Sequence, residues 1–427
     1  MNRPRHFWLN RGYSLTELLV AIVILALIVL TVSLMLSSAQ QSISVSRKLL
    51  DCDDQARLAF ARMQNDFINI VKRTDVDFIS SKQVGNDKIF FYTQAVGDTT
   101  GSNAATGNPN FPNGAENPVS LVGYKVANDP NIQTKIPVDL QRLGRGLNWL
   151  ANNDPTASVT ATDNMVFLTP ATATQSSTAP FPYFDPNSTL DGHWSTTGGA
   201  SYNSIGTAPT YNPTTSLDPD YHVIGDQIFR FEFCYLLKDG SYSDYPVEAN
   251  STNVPTGTVS LIVLARPPKV TDDSSNANSA GVVGTGTRWF DSNAGRAYLC
   301  TSPAKGAAVW QGLGVQDVSA IVVAIALLDR SSRKILNNAS GTTAQLATLF
   351  GDSNLVPTGS PIANAYTAST ASNVVLMQQS WRATINGAGF ASSLASATGV
   401  SAGLGKQIAS HITTYQRYFY LNTATSL

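Results

Sequence analysis

Glu17 occupies the position in this sequence that most clearly demands a chemical explanation. Its carboxyl group lies at the start of an uncharged run that continues from Leu18 to Ser46. A charge at the centre of a bilayer costs about 2.5–3.5 kcal/mol, and less near the interface, so a carboxylate here requires a partner. Ser14 also completes the capping-box pattern Ser-Leu-Thr-Glu, in which the serine and the glutamate satisfy orphan amides at a helix start. Ion pairing and capping are compatible roles.

Other candidate chemistry is sparse. The four histidines are dispersed, and no hydrolase, zinc-protease or phosphate-loop motif or Cys/His metal spacing occurs, so we expect neither an enzyme nor a cofactor. The acidic pairs Asp272-Asp273 and Asp218/Asp220 could contribute to a Ca²⁺ site, but neither has EF-hand spacing, and solvated loop acids are the simpler interpretation. The histidines are His6, His193, His222 and His411.

The cysteines allow two interpretations. Cys234 and Cys300 fall in predicted strands, and a disulfide between them in a domain outside the cytoplasm would contribute about 4 kcal/mol in the chain-entropy model. Alternatively these two and Cys52 are three buried thiols.

The elements that position Glu17 begin with a membrane helix. The roughly 19 apolar residues Leu18–Leu36, at about 1.5 Å each, just cross a hydrocarbon layer of about 30 Å. We assign residues 13–36 to this span and residues 1–12 to a leader whose arginines have no acidic partners and keep it cytoplasmic. A buried core helix is one alternative, and a secretory signal cut near Ser37-Ser38-Ala39 is another. The leader arginines are Arg3, Arg5 and Arg11.

The segment from Gly12 to Val20, Gly-Tyr-Ser-Leu-Thr-Glu-Leu-Leu-Val, resembles the prepilin processing motif of type IV pilins and type II secretion pseudopilins. The resemblance implies that a prepilin peptidase cuts after Gly12 and N-methylates Tyr13. It also implies that Glu17 is the acid that guides assembly with other pilins or pseudopilins. Tyr13 departs from the family's usual phenylalanine, which bears on the efficiency of processing.

A second helical pattern follows the membrane span. Apolar residues recur at three- and four-residue steps from Leu49 to Ile70, opposed by charged residues that include Asp66, and neither Gly nor Pro occurs between Tyr13 and Lys82. This pattern predicts one helix of about 60 residues whose half at residues 37–73 is an amphipathic stalk. The stalk packs on the chain's own domain, as the resemblance implies, or forms a coiled coil.

The remaining residues, 74–427, form a globular β-rich domain with long loops. Alternating and continuous apolar patterns predict strands, including a central one at Asp317–Asp329. A short helix is predicted at Thr343–Phe350, and a further helix at Val374–Asn386. Loop insertions are predicted at about 97–117, 154–220, 270–287 and 337–371. The other predicted strands are Lys88–Thr93, Val119–Val126, Asp139–Gly146 (alternatively a short turn), Asn164–Thr169, Gln227–Leu237, Thr258–Ala265 and Ile408–Leu421.

Three details of this domain carry specific expectations. Phe229, Phe231, Phe233 and Tyr235 alternate and should share one sheet face, and the strands at Gln227–Leu237 and Thr258–Ala265 should be antiparallel neighbours. The glycine-rich segment Gly281–Gly286 lacks the preceding strand and following helix of a phosphate-binding loop, so we predict an ordinary loop there. The aromatics within 154–220 either pack on the domain or bind sugar or a protein, with self-packing favoured.

The C-terminal pattern extends the resemblance. Gln416–Asn422 is similar to the closing strand of J-type minor pseudopilins and PilW-like minor pilins. It is also similar to proteins named Verru_Chthon cassette protein C, with Arg288–Asp291 and Ala324–Asp329 as further points of contact.

The patterns indicate an α+β protein, and the resemblance implies a pilin-like fold with a long N-terminal helix packed on antiparallel sheets. With a net charge of −1 and 13% charged residues, the chain has no electrostatic footprint for nucleic acid. We expect a minor pilin or pseudopilin that initiates or caps a filament. It would be a single-pass protein of the inner membrane, with the domain periplasmic or extracellular. The alternative is a membrane-anchored adhesin or binding protein with the same leader type.

Overall fold

A computed structural model describes the chain over the ranges given below. The chain divides into two compact units, Met1–Asp51 and Cys52–Leu427, which are described separately. The described residues are 14–72, 78–81, 85–95, 119–127, 139–146, 221–248, 255, 257–264, 266–275, 282–291, 296–338, 346–350 and 377–421.

Helix α1 is a single element of 54 residues, Leu15–Ile68. The absence of Gly and Pro lets the i→i−4 ladder continue without interruption, which confirms the prediction of one long helix. In the first unit its side chains from Leu15 to Val45 are exposed. Leu49 is exposed as well, so the buried stripe begins at Cys52, later than predicted.

The part of α1 in the second unit packs in the main hydrophobic core. Phe60, Met63 and Phe67 are each at most 6% exposed. Phe67 stacks on Phe91 with ring centroids 4.9 Å apart and also contacts Phe419 at 5.1 Å. Burying side chains of this size contributes about 1.5–3 kcal/mol each, so the stalk is fixed on the domain.

The described residues of the second unit include thirteen strands, which form three sheets. Sheet I is antiparallel with the order β1-β2-β3-β4-β5, sheet II has the order β13-β12-β6-β7, and sheet III has the order β11-β10-β9-β8. The strands are β1 Phe78–Ser81, β2 Lys88–Thr93, β3 Ser120–Ala127, β4 Asp139–Gly146, β5 Tyr221–Gly225, β6 Ile228–Leu237, β7 Tyr242–Ser243, β8 Val259–Leu264, β9 Val283–Asp291, β10 Arg296–Ser302, β11 Val309–Gly312, β12 Val318–Leu328 and β13 Ile412–Tyr420.

Sheet II forms the middle of the domain, and β12 is its central strand, as predicted. Ile321, Val323 and Ile325 face the core that contains α1 and sheet I. Val322 and Ala324 face a second core on the opposite side. Because both faces of β12 are buried, its sequence is a continuous apolar run without alternation.

The alternation predicted for β6 is wrong at one residue. Phe231, Phe233 and Tyr235 share the main core, but Phe229 lies in the second core. The β6–β12 register shifts between Ala326 and Leu327, opposite Phe229. A β-bulge inserts one extra residue there, which places Phe229 on the face opposite to the other aromatics.

Sheet III differs from the predicted pairing. Strand β8 is parallel to β9, whereas β6 pairs with β7 and β12, so the predicted antiparallel pair of β6 and β8 is wrong. Residues 265–282 connect β8 to β9 and are long enough for the crossover that a parallel pair needs. The predicted loop at 270–287, with the glycines of Gly281–Gly286, is also wrong from Val283 onward, since β9 begins there.

Short helices cover the second face of sheet II. They are α2 Arg330–Asn337, a 3-10 turn Ala347–Phe350, α3 Met377–Asn386, α4 Phe390–Thr398 and α5 Ala402–Ser410. The turn and α3 lie where helices were predicted, but α2, α4 and α5 were missed. Phe350, Trp381, Leu394 and Ile408 from these elements build the second core.

The predicted α+β, pilin-like class, a long N-terminal helix with antiparallel sheets, is confirmed. Several loop predictions lie outside the described residues, namely 97–117, 154–220 with its predicted strand Asn164–Thr169, and most of 337–371.

Candidate functional site

The N-terminus of α1 is closed by the capping box that the sequence predicts. Ser14 precedes the first helical residue, its amide donates to Glu17 Oε2 at 3.1 Å, and the Glu17 amide donates to Ser14 Oγ at 3.2 Å. The Ser14 carbonyl accepts from the Leu18 amide at 3.2 Å. These reciprocal bonds hold the Glu17 carboxylate against the first helical turn, where the helix dipole also favours an anion. Gly12 and Tyr13 lie outside the described residues.

The turns that follow Glu17 expose an almost wholly apolar surface. The most hydrophobic 18-residue window of α1 has a mean hydropathy of 3.2, and none of it is buried. Leu18 is 58% exposed and Met35 75% exposed. The hydroxyl of Thr31 donates to the Ile28 carbonyl at 2.9 Å, so this polar group inside the run is satisfied within the helix. A helix of this composition fits a single-pass membrane anchor.

A buried ionic cluster joins the other end of α1 to sheet I. Asp66 is fully buried and receives a bidentate pair from Arg142 on β4, with Nε–Oδ2 at 2.6 Å and Nη2–Oδ1 at 2.9 Å. The Tyr124 hydroxyl on β3 donates to the same carboxylate. Burial and then the charge of Asp66 raise the pKa of Tyr124. Burial opposes the charge on Arg142, yet hydrogen bonding to Asp66 raises its pKa overall.

Backbone contacts reinforce this junction. The Thr93 hydroxyl donates to the Asp66 carbonyl at 2.9 Å, and the Val71 amide donates to the Tyr92 carbonyl at 2.8 Å. The sequence pattern placed Asp66 on the polar face of the stalk, and the structure shows that this was wrong. The missed signal is its position directly before Phe67 in a stripe otherwise composed of apolar residues.

Of the two interpretations of the cysteines, the structure has the three thiols and not the disulfide between Cys234 and Cys300. Cys52, Cys234 and Cys300 are all buried thiols. Cys234 and Cys300 also lie in different hydrophobic clusters, on sheets II and III. Burial raises the pKa of Cys300 to about 11, which makes its thiol unreactive at neutral pH.

The side chains of Asp272 and Asp273 make hydrogen bonds within a local turn. Arg266 pairs with Asp272 through two hydrogen bonds of 2.7 and 2.9 Å, and the Ser275 and Gly306 amides donate to Asp273. Within the described ranges no group of three or more His, Cys, Asp or Glu side chains could hold a metal ion. Asp218 and Asp220 lie outside those ranges.

Two histidines lie within the described residues. His222 is exposed on β5, while His411 Nδ1 lies 3.5 Å from Asp329 Oδ1 and 3.5 Å from Ser332 Oγ. Both contacts use the same ring nitrogen, so this group lacks the relay of a hydrolase triad, in which serine and acid bind opposite nitrogens. Asp329 instead caps α2, accepting from the Ser331 and Ser332 amides.

Comparison with known families identifies the N-terminal segment. The family model described as "Prokaryotic N-terminal methylation motif" matches residues 9–33, which include Glu17 and most of the apolar run. No curated protein and no solved structure matches the chain significantly. This motif indicates a structural subunit rather than an enzyme. The chain therefore has a prepilin-type N-terminus and a long apolar helix, which support a protein of the type IV pilin or pseudopilin class.

Proposed function

We propose that the chain is a minor pilin or pseudopilin, J-type or PilW-like, that initiates or caps a type II secretion-like pseudopilus or a type IV pilus-like filament. The observation that carries the proposal is the Glu17 carboxylate, held by its capping box at the end of a helix whose next turns are wholly apolar and exposed. Such a surface must be covered by lipid before assembly and by other helices after it.

Processing creates the partner of this acid. Before cleavage the nitrogen of Tyr13 is a neutral amide in the chain, whereas cleavage after Gly12 turns it into an N-terminal amine that carries a positive charge and is then methylated. This ammonium pairs with Glu17 of a neighbouring subunit. Because the attraction between opposite charges is much stronger in hydrocarbon than in water, one such pair selects the axial register of two subunits. Assembly therefore requires prior cleavage by the prepilin peptidase.

The size of the second unit supports a role at the filament end. Its described residues alone form three sheets and a helical layer, and its strands are separated by long segments such as 147–220. A domain of this bulk is hard to stack at every helical repeat, so a few copies at the tip are favoured. The domain would lie on the periplasmic or extracellular side, with the leader facing the cytoplasm.

The capping box supplies a matched pair of variants. Glu17→Gln removes the charge but keeps a side chain that can cap, whereas Ser14→Ala removes the cap and keeps the charge. We expect Glu17→Gln to insert and be cleaved but to lose co-purification with partner subunits, and Ser14→Ala to retain it. If Ser14→Ala no longer co-purifies with partner subunits and Glu17→Gln still does, Glu17 acts only as a cap and the assembly role is refuted.

Mass spectrometry of the mature N-terminus tests the processing. We expect a first residue Tyr13 that carries one N-methyl group. A mature protein that begins elsewhere, for instance after Ala39, would overturn the proposal. Surface binding that persists in Glu17→Gln cells without any partner subunit would instead support a membrane-anchored adhesin.

A further inference from the structure

The apolar stripe on the buried face of the stalk does not by itself define where the helix sits. Six buried apolar residues of α1 face the core in the second unit. If the helix moved one turn along its axis, by about 6 Å, each place would receive the residue four positions later. Five of the six places would still hold an apolar side chain, and only the place of Phe60 would receive Gln64. The six residues are Cys52, Ala56, Ala59, Phe60, Met63 and Phe67.

Asp66 distinguishes the native position from the shifted one. In the native position its carboxylate meets both nitrogens of the Arg142 fork and the Tyr124 hydroxyl. After the one-turn shift Ile70 would take its place, and the guanidinium of Arg142, whose side chain is 6% exposed, would lose its counter-charge. A buried charge without a partner is strongly unfavourable, so the shifted arrangement is suppressed.

A shift in the opposite direction is excluded by the same residues. Arg62 would replace Asp66 and bring a second positive charge against Arg142, while Lys48 and Gln55 would enter the places of Cys52 and Ala59. Like charges in a buried site repel strongly. The forward one-turn shift is therefore the competing arrangement that the cluster has to exclude.

We propose that Asp66, with Arg142 and Tyr124, is a register lock, meaning a positioning cluster that selects one axial position of α1 on sheets I and II. Single polar residues at apolar interface positions fix register in coiled coils, and the same physics applies to a helix on sheets. The register lock involves only residues of the second unit, so its test does not depend on whether the filament proposal is correct.

Stability does not discriminate between a lock and an ordinary buried ion pair. Replacing a buried charged cluster by apolar residues of similar size is often neutral or stabilising, whereas the loss of register specificity is the effect particular to a lock. The experiment therefore has to read the position of the helix.

Cross-linking of introduced cysteines with a short bismaleimide, on the full chain in detergent, reports this position. Arg417 on β13 donates to Gln64 Oε1 through the ends of two long side chains, so a short linker rather than a direct disulfide joins the pair Gln64→Cys/Arg417→Cys and reports the native register. Because Ile68 would occupy the place of Gln64 after the shift, the pair Ile68→Cys/Arg417→Cys reports the shifted register. Peptide mass mapping distinguishes both products from any that involve the native thiols.

We expect only the native-register product in the otherwise unchanged chain. In the background Asp66→Leu/Tyr124→Phe/Arg142→Met the shifted-register product should rise about tenfold or more. The matched control background is Asp53→Leu, which removes a partly exposed acid of the same helix whose partner Arg57 is largely exposed. Its product pattern should not change.

A folded triple variant that still gives only the native-register product would overturn the proposal. If the triple variant does not fold, the background Asp66→Asn/Arg142→Gln decides, because it removes both charges and keeps the polar shape. The shifted product must then appear there, and its absence would equally overturn the lock.

Discussion

Asp66→Asn should be among the most destabilising single polar substitutions in the second unit. The asparagine keeps the size of the side chain but replaces one carboxylate oxygen by an NH₂ group. Arg142 approaches Asp66 with two N–H donors, at Oδ2 and Oδ1, so either orientation of the amide puts a donor against a donor. The guanidinium is also left without its counter-charge in a buried site.

The expected magnitude follows from this geometry. Breaking a buried ion pair by neutralising one partner costs about 3–5 kcal/mol. Cys52–Leu427 has an unfolding entropy of about 0.8 kcal/mol/K if it melts as one cooperative unit, at roughly 2 cal/mol/K per residue. The melting temperature should therefore fall by about 4–6 °C. By contrast Asp53, which pairs with Arg57 four residues on, is partly exposed, and Asp53→Asn should cost about 0.3–0.5 kcal/mol.

Thermal unfolding of the full chain in detergent, followed by tryptophan fluorescence, measures both variants. A double-mutant cycle with Arg142→Met isolates the pair, and the double variant should lose less stability than the two single variants together. If Asp66→Asn melts within 1 °C of Asp53→Asn, or if the cycle is additive, the buried pair contributes nothing and the reasoning is refuted.

Three further predictions concern the domain. Gly123→Ala should lower the unfolding free energy by about 1–3 kcal/mol, because a Cβ there would lie 2.1 Å from a ring carbon of Phe90. Chemical denaturation should show a lower midpoint, and an unchanged midpoint would mean that the ring moves aside. Asp329→Ala should cost about 1 kcal/mol by removing the cap of α2, measurable in the same assay, and a neutral result would contradict a capping role. Cys300, whose pKa is raised to about 11, should resist iodoacetamide at pH 8 until the chain unfolds. The stability that comes from the raised pKa is complete below the pKa of the unfolded thiol, near 8.5, and is lost as the pH rises towards 11. The unfolding free energy should therefore fall between these two pH values, and it should fall less in the Cys300→Ala variant.

The strongest sequence patterns predicted the elements that depend on local physics. The run before Ile68 is helical because no residue in it breaks a helix, and β12 is a central strand because an apolar run of that length can be buried on both faces. The capping box of Ser14 and Glu17 was likewise predicted, since its contacts span only three residues.

Features that depend on distant partners were missed. Phe229 changes face because of a bulge set by pairing with β12, about 100 residues away, and β8 pairs with β9 in parallel through a crossover. Helices α4 and α5 contain few large apolar residues, so their pattern is weak, and their burial comes from the cover they give sheet II. Asp66 was assigned to the wrong face because its partner Arg142 lies 76 residues further along the chain.

The order of strands in sheet II constrains how the protein is made. Strand β12 needs β13 along one whole edge, from Ala320 to Leu328, yet β13 consists of residues 412–420. During synthesis β12 therefore has one unpaired edge until residues 412–420 have been made, and an open edge on so apolar a strand promotes aggregation. A nascent chain stopped before residue 412 should need a chaperone, and variants truncated before residue 412 should be degraded even though α1 is intact.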